Sequence, residues 1–462
     1  MSNTCKIAIT GDAIITRKIS VCTEKAFLDL INIIRESDIA YTNLETLIHD
    51  YDGPEVYPAA EAGWTSMRSP RFVAEELKWA GFDIVSHASN HSLDYSYGGL
   101  RSTWKALDEA GLIYAGTGNN LAEAREPAYL DTPKGRVALI SMCSSFAGWA
   151  KAGDARRDMK GRPGLNPLRF YYSVDSDTLE TIKQLAVKLG FWVTKIGNDW
   201  LFNPAGLHNT IYRFVESREP GISTVAEEHD VAGNLRAIRH ARRQSDYVLV
   251  QLHNHEWDPQ IGLHHPPKFV PPFARACIDA GADIFIAEGS HSPLRGIELY
   301  KNKPIFYDPG DLFTMADTVT RLPSDSYWRA GFTPEVRQWD AAPSDFFACR
   351  AAFPDPISPP GGYGAKPFSC AISSDSSASL ERHNSSPFSG SVIGVCSFNK
   401  ESLLVGIDLY PFIRIGKPHS RIGMPMMADS AKGEKIINYL EKISAPFGTR
   451  IAFQDGRGIV QM

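Results

Sequence analysis

Short apolar runs alternate with amphipathic stretches through the first third of the chain, and that alternation confines it to one broad class of fold. "KIAIT" and "DIAYTNLE" read as strands, with "EKAFLDLINIIRES" between them carrying apolar residues at helical spacing. "RFVAEELKWAGF" predicts a helix closed by Gly81, followed by a strand at "DIVSHAS", a helix at "YGGLRSTWKALDEAGL" and a strand at "IYAGTG". The rhythm returns in "RVALISMCS", "DYVLVQLHN", a helix over "PPFARACIDAGA", and "DIFIAEGSH". "IELYKNKPIFYD" predicts a hairpin turning at Lys301-Asn302-Lys303. Late in the chain, "SVIGVCSFNKESLLVGIDLYPFIRI" predicts two antiparallel strands and "KGEKIINYLEKIS" a helix. Strands interleaved with amphipathic helices argue for an α/β fold whose sheets are covered by helices.

Two stretches break the rhythm. Residues 147–232 read as a less regular insert, rich in aromatics at "LGFWVTKIGNDWLF". There Trp149, Phe191, Trp192 and Trp200 either roof a pocket or pack a small core of their own. Trp192, at helical spacing after "LAVKL", is expected to pack. Residues 346–390 read as a Ser/Pro/Gly-rich loop. The expected division is therefore a core of 1–146 and 233–345, the insert 147–232 lining the pocket, the loop 346–390, and 391–462 completing the core.

Composition narrows the partners. A net charge of −5 gives no electrostatic reason to expect nucleic acid or an acidic membrane. The seven cysteines are scattered without CxxC spacing, so reduced, buried thiols are expected. Neither a signal peptide nor a bilayer-length apolar run is read, which leads us to expect a cytoplasmic protein; the small-molecule or peptide-like substrate expected of it rests on the site chemistry and the resemblance set out below. No GxGxxG or GxxxxGK[ST] occurs, which makes a nucleotide-cofactor enzyme a poor reading.

The chemistry lies where the strands stop. "AITGD" ends on Asp12, "AYTNLE" on Glu45, "VSHASNH" on Asn90 and His91, "VQLHNHE" on His253, His255 and Glu256, and "IAEGSH" on Glu288 and His291. Each alone has a plainer role as a turn residue, a cap or a core histidine. Five strand ends together are harder to explain that way, because open α/β sheets bind ligands beyond the carboxyl ends of their strands. Carboxylate, amide and imidazole donors without thiolate suit Mn, Zn or Fe ions. Two divalent ions sharing a carboxylate, about 3.5–4 Å apart, form a hydrolytic arrangement. His87 differs in strand parity from Asn90 and is expected either in the core or behind the site's own residues, supporting them. His208, His229, His240, His383 and His419 read as helix-surface or loop residues.

The segments "TGD" (10–12), "TNLET" (42–46), "SNHSLD" (89–94), "QLHNHEW" (251–257) and "GSHSPLRGIELYKNKPIFYDPGDLF" (289–313) closely resemble the poly-γ-glutamate capsule-synthesis (CapA-type) family, related to the calcineurin-like metallophosphoesterases. The resemblance implies a four-layer αββα metallophosphoesterase-like sandwich with an inserted irregular segment. It also implies two divalent metal ions on Asp12, bridging Glu45, Asn90, His253 and His291. His91 would then act as acid or electrostatic stabiliser, with its ring oriented by Asp94. The implied activity is metal-dependent hydrolysis of a phosphoester or an amide (glutamyl-type) bond. The alternative is a non-catalytic accessory protein with a degenerate site. Two departures stand out. The second histidine of the family's G-x-H-x-H is Pro293 here, and its Gly-Asn has become Gly310-Asp311. His255 or Glu256 is the expected replacement ligand. Arg17, Arg162 and Arg169 are candidate clamps for an anionic substrate.

Overall fold

The computed structural model describes residues 4–60, 65–204, 211–291, 294–329, 332, 340–352 and 390–462. Two large sheets organise them. In the first, strand Cys5–Ile14 runs parallel to Ile39–Leu44, followed outward by Ile84–Ser86 and Ile113–Ala115. On its other side it pairs antiparallel with Gly390–Phe398, beyond which lie Leu404–Arg414 and the hairpin Ile451–Gln454/Arg457–Val460. The second sheet runs Arg295–Tyr300, Lys303–Asp308, Ile284–Glu288, Tyr247–His253, Gly135–Cys143, Ala128–Thr132. Its inner four strands are parallel. The expected hairpin is present, and Lys301 and Asn302 both take positive φ, as a tight turn in the twist of a hairpin requires.

Residue parity sorts the core. Ile7, Ile9, Ile39, Tyr41 and Ile84 of the first sheet share one cluster with Val137, Leu139, Leu249, Ile284 and Ile286 of the second. The alternate residues Ala8, Ala40 and Val85 pack instead against helices Lys25–Arg35, Val73–Ala80 and Ser96–Ala110. Likewise Ala138, Ile140, Val248, Val250 and Phe285 pack against Glu228–Arg242 and Val270–Ala280. Burial on both faces explains why these strands are continuous apolar runs instead of alternating ones. Gly81, in the left-handed conformation at φ 102°, ends its helix as the sequence predicts.

The insert departs from expectation. Residues 170–204 and 211–226 are regular: five strands in the order Trp192–Ile196, Asp199–Asn203, Tyr212–Glu216, Phe170–Val174, Ile222–Ala226, covered by helix Ser176–Lys188. Phe202, Phe214 and Trp200 pack beneath that helix. Trp192 does not join them: it lies on the edge strand and is 64% exposed. Its helical spacing was misleading because the helix ends at Lys188 and Gly190 turns the chain at φ 73° into a strand. The loop expected over 346–390 is too wide: helix Pro343–Ala352 covers its first residues and strand Gly390–Phe398 takes its last, while 353–389 lie outside the described residues. Five described cysteines, at 5, 22, 143, 277 and 396, are free and buried. Among the described residues no helix is long and apolar enough to cross a membrane.

Candidate metal centre

The row of side chains facing between the sheets changes character along each parallel strand. Ile39 and Tyr41 give way to Asn43, Ile84 to Ser86, Leu249 to Gln251 and His253, and Ile286 to Glu288. The same parity that buries apolar residues at the start of each strand thus delivers polar ones at its carboxyl end. Asp12 needs a correction to its phase. Simple alternation from Ile7 and Ile9 would turn it outward. The register slips between Ile9, opposite Tyr41, and Asp12, opposite Asn43, and this bulge turns Asp12 inward. Asn43 Nδ2 then donates to Asp12 Oδ1 at 2.6 Å and lies 3.2 Å from His253 Nδ1.

Glu45, just past its strand and fully buried, is the centre of the cluster. Its Oε1 lies 3.4 Å from His291 Nε2, 3.5 Å from His253 Nε2, 3.9 Å from His255 Nε2 and 4.0 Å from His91 Nε2. Neither Glu45 oxygen has a hydrogen-bond partner, and Asp12 Oδ2 has none either. Asn90 Oδ1 is 3.0 Å and His255 Nε2 is 3.1 Å from His253 Nε2. Donor atoms of Glu45, His255 and His291, and of Asp12, His291 and Asp311, each lie within 4.8 Å of one another. Buried polar atoms normally find partners, so unpartnered carboxylate oxygens facing imidazole nitrogens fit a cation.

The electrostatics agree. Burial pushes the Glu45 carboxyl well above the usual range, and the charges of Asp12, Asp311 and Asp94 add to this. Burial would also raise Asp12, but hydrogen bonding and charge from His253, with the charge of His291, hold it low. His255 is driven well below its ordinary value by burial and by its cationic neighbours, leaving a neutral ring with a lone pair to offer. His291 is raised to about 10: burial opposes this, and the carboxylates of Glu45, Asp311 and Asp12 outweigh it.

His91 Nδ1 lies 2.5 Å from Asp94 Oδ2, which also accepts the Met67 N–H at 2.6 Å, so Asp94 fixes the ring and turns Nε2 toward Glu45. His87 is fully buried against Thr117, its pKa lowered by burial to about 4, in a core position. Of the two replacement candidates, His255 joins the cluster. Glu256 turns away to accept from Ser144 Oγ at 2.7 Å, while its carbonyl accepts from Arg295.

The three arginines are engaged elsewhere. Arg17 donates to the carbonyls of His419 and Ile422, and Arg162 to that of Lys151. Arg169 pairs with buried Asp230, shared with Arg125. The geometry thus gives these guanidiniums structural partners in place of a substrate anion.

Three residues escaped the sequence reading. Asn43 follows Tyr41 in parity, a signal that was readable. Asp311 was seen only as a departure, although a carboxylate replacing an amide at a site is itself informative. Glu288 was noted as a strand end without a role. Its oxygens accept from Tyr41 at 2.6 Å and Gln251 at 2.8 Å, and burial raises it well above the carboxylate range, so it buttresses the site through these two contacts.

A buried cluster of carboxylates and imidazoles beyond the ends of parallel strands defines a metal-centre-like α/β protein. Comparison with known proteins makes the class specific. Residues 6–315 match the family described as "Bacterial capsule synthesis protein PGA_cap", and the chain belongs to that family. It is 32% identical to the uncharacterized protein y4sH of Sinorhizobium fredii, over 98% of this chain and 92% of that one. A "Probable polyglutamine synthesis accessory protein" of Mycobacterium tuberculosis is 30% identical over 50% of this chain and 44% of its own length. The "Capsule biosynthesis protein CapA" of Bacillus anthracis is 24% identical over 51% and 41%.

Proposed function

We propose that the chain is a metal-dependent hydrolase built on a four-layer αββα, metallophosphoesterase-like scaffold. The observation that carries this reading is Glu45: a fully buried carboxylate with no hydrogen-bond partner, ringed by four imidazoles. The three core clusters, with helices outside each sheet and one apolar layer between the sheets, support the scaffold. Asp12, Glu45, Asn90, His253, His255 and His291 would hold two divalent ions. Such ions supply Lewis acidity and a water deprotonated near neutral pH. Asp94 accepts from Nδ1 of His91 and leaves Nε2 to face the reacting bond, where it protonates or steadies the leaving group. Asn43 donates to Asp12 and holds it in place, and is itself tied through Ser86 to Tyr41 and Glu288.

The target is a phosphoester or an amide bond of glutamyl type. The names of the M. tuberculosis and B. anthracis relatives support a role connected with capsule or polyamino-acid synthesis. The test is metal analysis by plasma mass spectrometry of the reconstituted protein and of Asp12→Ala/His253→Ala, alongside turnover of phosphoester and γ-glutamyl substrates. About two equivalents, lost in the double variant, with turnover of one substrate class, bears the proposal out. Protein that stays metal-free after reconstitution refutes it in favour of an accessory, binding role, the reading that Pro293 in place of a histidine would favour.

A further inference from the structure

We propose that Asp311 is a metal donor, a second group beside His255 that makes up for the histidine missing at position 293. The inference rests on the metal-dependent reading above and concerns one residue that the family pattern does not supply. Relative to that pattern the chain has lost one imidazole and, eighteen positions later, gained one carboxylate.

The geometry places that gained group in the cluster. Asp311 is 2% exposed, and its Oδ1 lies 3.1 Å from His291 Nδ1. Across from it stands the unpartnered Oδ2 of Asp12, 3.7 Å from the same nitrogen. The other Asp311 oxygen is spoken for: Thr314 Oγ1 donates to Oδ2 at 3.3 Å, and Arg414 stands 3.9 Å behind it. One oxygen is therefore anchored and the other faces the donors, as a monodentate ligand requires.

The backbone is held to the same end. Arg414 donates to the carbonyl of Asp311 at 2.7 Å and reaches that of His291 at 3.4 Å, clamping the two segments side by side. Leu312 N–H donates to the Asp12 carbonyl at 2.8 Å. Gly11 lets the 310 loop come this close, since a Cβ there would stand 2.1 Å from the Gly310 oxygen. Asp12, Asp311 and His291 are thus fixed relative to one another by main-chain contacts.

A role confined to orienting His291 would need only an acceptor for its Nδ1–H, which asparagine also provides. Asp311→Asn therefore separates the two roles, and Asp311→Ala removes both. We would titrate wild type and both variants with Mn²⁺ and Zn²⁺ against a chromophoric chelator, count bound equivalents by mass spectrometry, and record far-UV circular dichroism of the ion-free forms to establish folding. The expected result is that both variants lose one of the two bound equivalents at ion concentrations that saturate wild type. Asp311→Asn binding two ions at wild-type affinity overturns the proposal, whatever Asp311→Ala does, and leaves the hydrolase reading standing. Wild type that binds no ion after reconstitution overturns both.

Discussion

Replacing Glu45 with glutamine should stabilise the ion-free protein and abolish its stabilisation by metal. Glu45 is fully buried, and its two oxygens accept no hydrogen bond. Leaving a buried polar or charged group unsatisfied costs about 1–3 kcal/mol, more when it is charged. The compensation available without a cation is the charge of His291, 3.4 Å away, which Asp311 and Asp12 also claim. Glutamine keeps the shape and removes the charge, and His291 keeps its other two carboxylates. At pH values where Glu45 is ionised, a net gain of about 1–2 kcal/mol follows, or a few degrees in melting temperature, given about 2–4 °C per kcal/mol for domains of roughly 150–250 residues. With metal the order reverses. An ion at a hundredfold excess over its dissociation constant stabilises wild type by about 2.7 kcal/mol, and Glu45→Gln should forfeit most of that.

The pH dependence gives the same experiment a second arm. The Glu45 carboxyl is raised in the folded state, so its neutral form is the one that folding favours. Ion-free wild type should therefore lose stability as pH rises above the ordinary carboxylate range, while Glu45→Gln should show a flatter profile there. Calorimetry or dye-based melts of chelator-stripped and reloaded protein, at several pH values, supply every number needed. If the variant melts several degrees below wild type when stripped and still rises on adding metal, Glu45 is a structural acid and the reasoning is wrong.

Three further outcomes follow from single contacts. Asp230→Ala strands the largely buried Arg125, while the half-exposed Arg169 can turn to water. It should cost about 3 kcal/mol in denaturant unfolding, the low end for a broken buried pair; the wild-type contacts should weaken only as pH falls through the depressed pKa of Asp230. Gly11→Ala drives a Cβ to 2.1 Å from the Gly310 oxygen and should spread Asp12 from Asp311, reducing metal uptake while far-UV circular dichroism stays close to wild type. His87 titrates near 4 against 6.5 when free, so protonation favours the unfolded chain and about 3 kcal/mol of stability drains away as pH falls between those values. His87→Phe should flatten the acid limb of a stability–pH curve, and an unchanged limb would mean that His87 is solvated.

Much of the site could be read from sequence because it sits at strand ends, where an apolar run makes the next polar residue conspicuous. The runs before Glu45, His253 and Glu288 are buried on both faces, so their composition alone announces them. What parity decides was harder. His255 continues the inward alternation of Gln251 and His253, whereas Glu256 falls out of phase, and the sequence reading left the two open. The bulge that turns Asp12 inward has no composition signal, since it is a slip against Tyr41 and Asn43 on a neighbouring strand. The partners of the arginines were hidden for a related reason. A guanidinium advertises its charge but not its partner, and Arg169 found Asp230, sixty-one residues away. The insert was read as irregular because its short strands are only half-buried, so neither periodicity stood out.

The site's position between the sheets bears on how the protein would respond to metal. Asp12 and Glu45 come from the first sheet, and His253, His255 and His291 from strand ends of the second. The two sheets adhere along most of their length through an apolar layer in which Ile7, Ile9, Ile39, Leu139, Leu249 and Ile284 are wholly buried. At the carboxyl ends that layer gives way to acids, amides and imidazoles, joined across the sheets by Tyr41 with Glu288 and Asn43 with His253, while oxygens of Glu45 and Asp12 stay without a hydrogen-bond partner. Ions held on those oxygens would add a cross-link between the sheets. Metal should therefore slow amide hydrogen exchange selectively in residues 9–14, 42–46 and 250–255, with little change at the opposite ends of the same strands. Uniform protection along the strands would point to global stabilisation instead, and would argue that ions bind away from the inter-sheet layer.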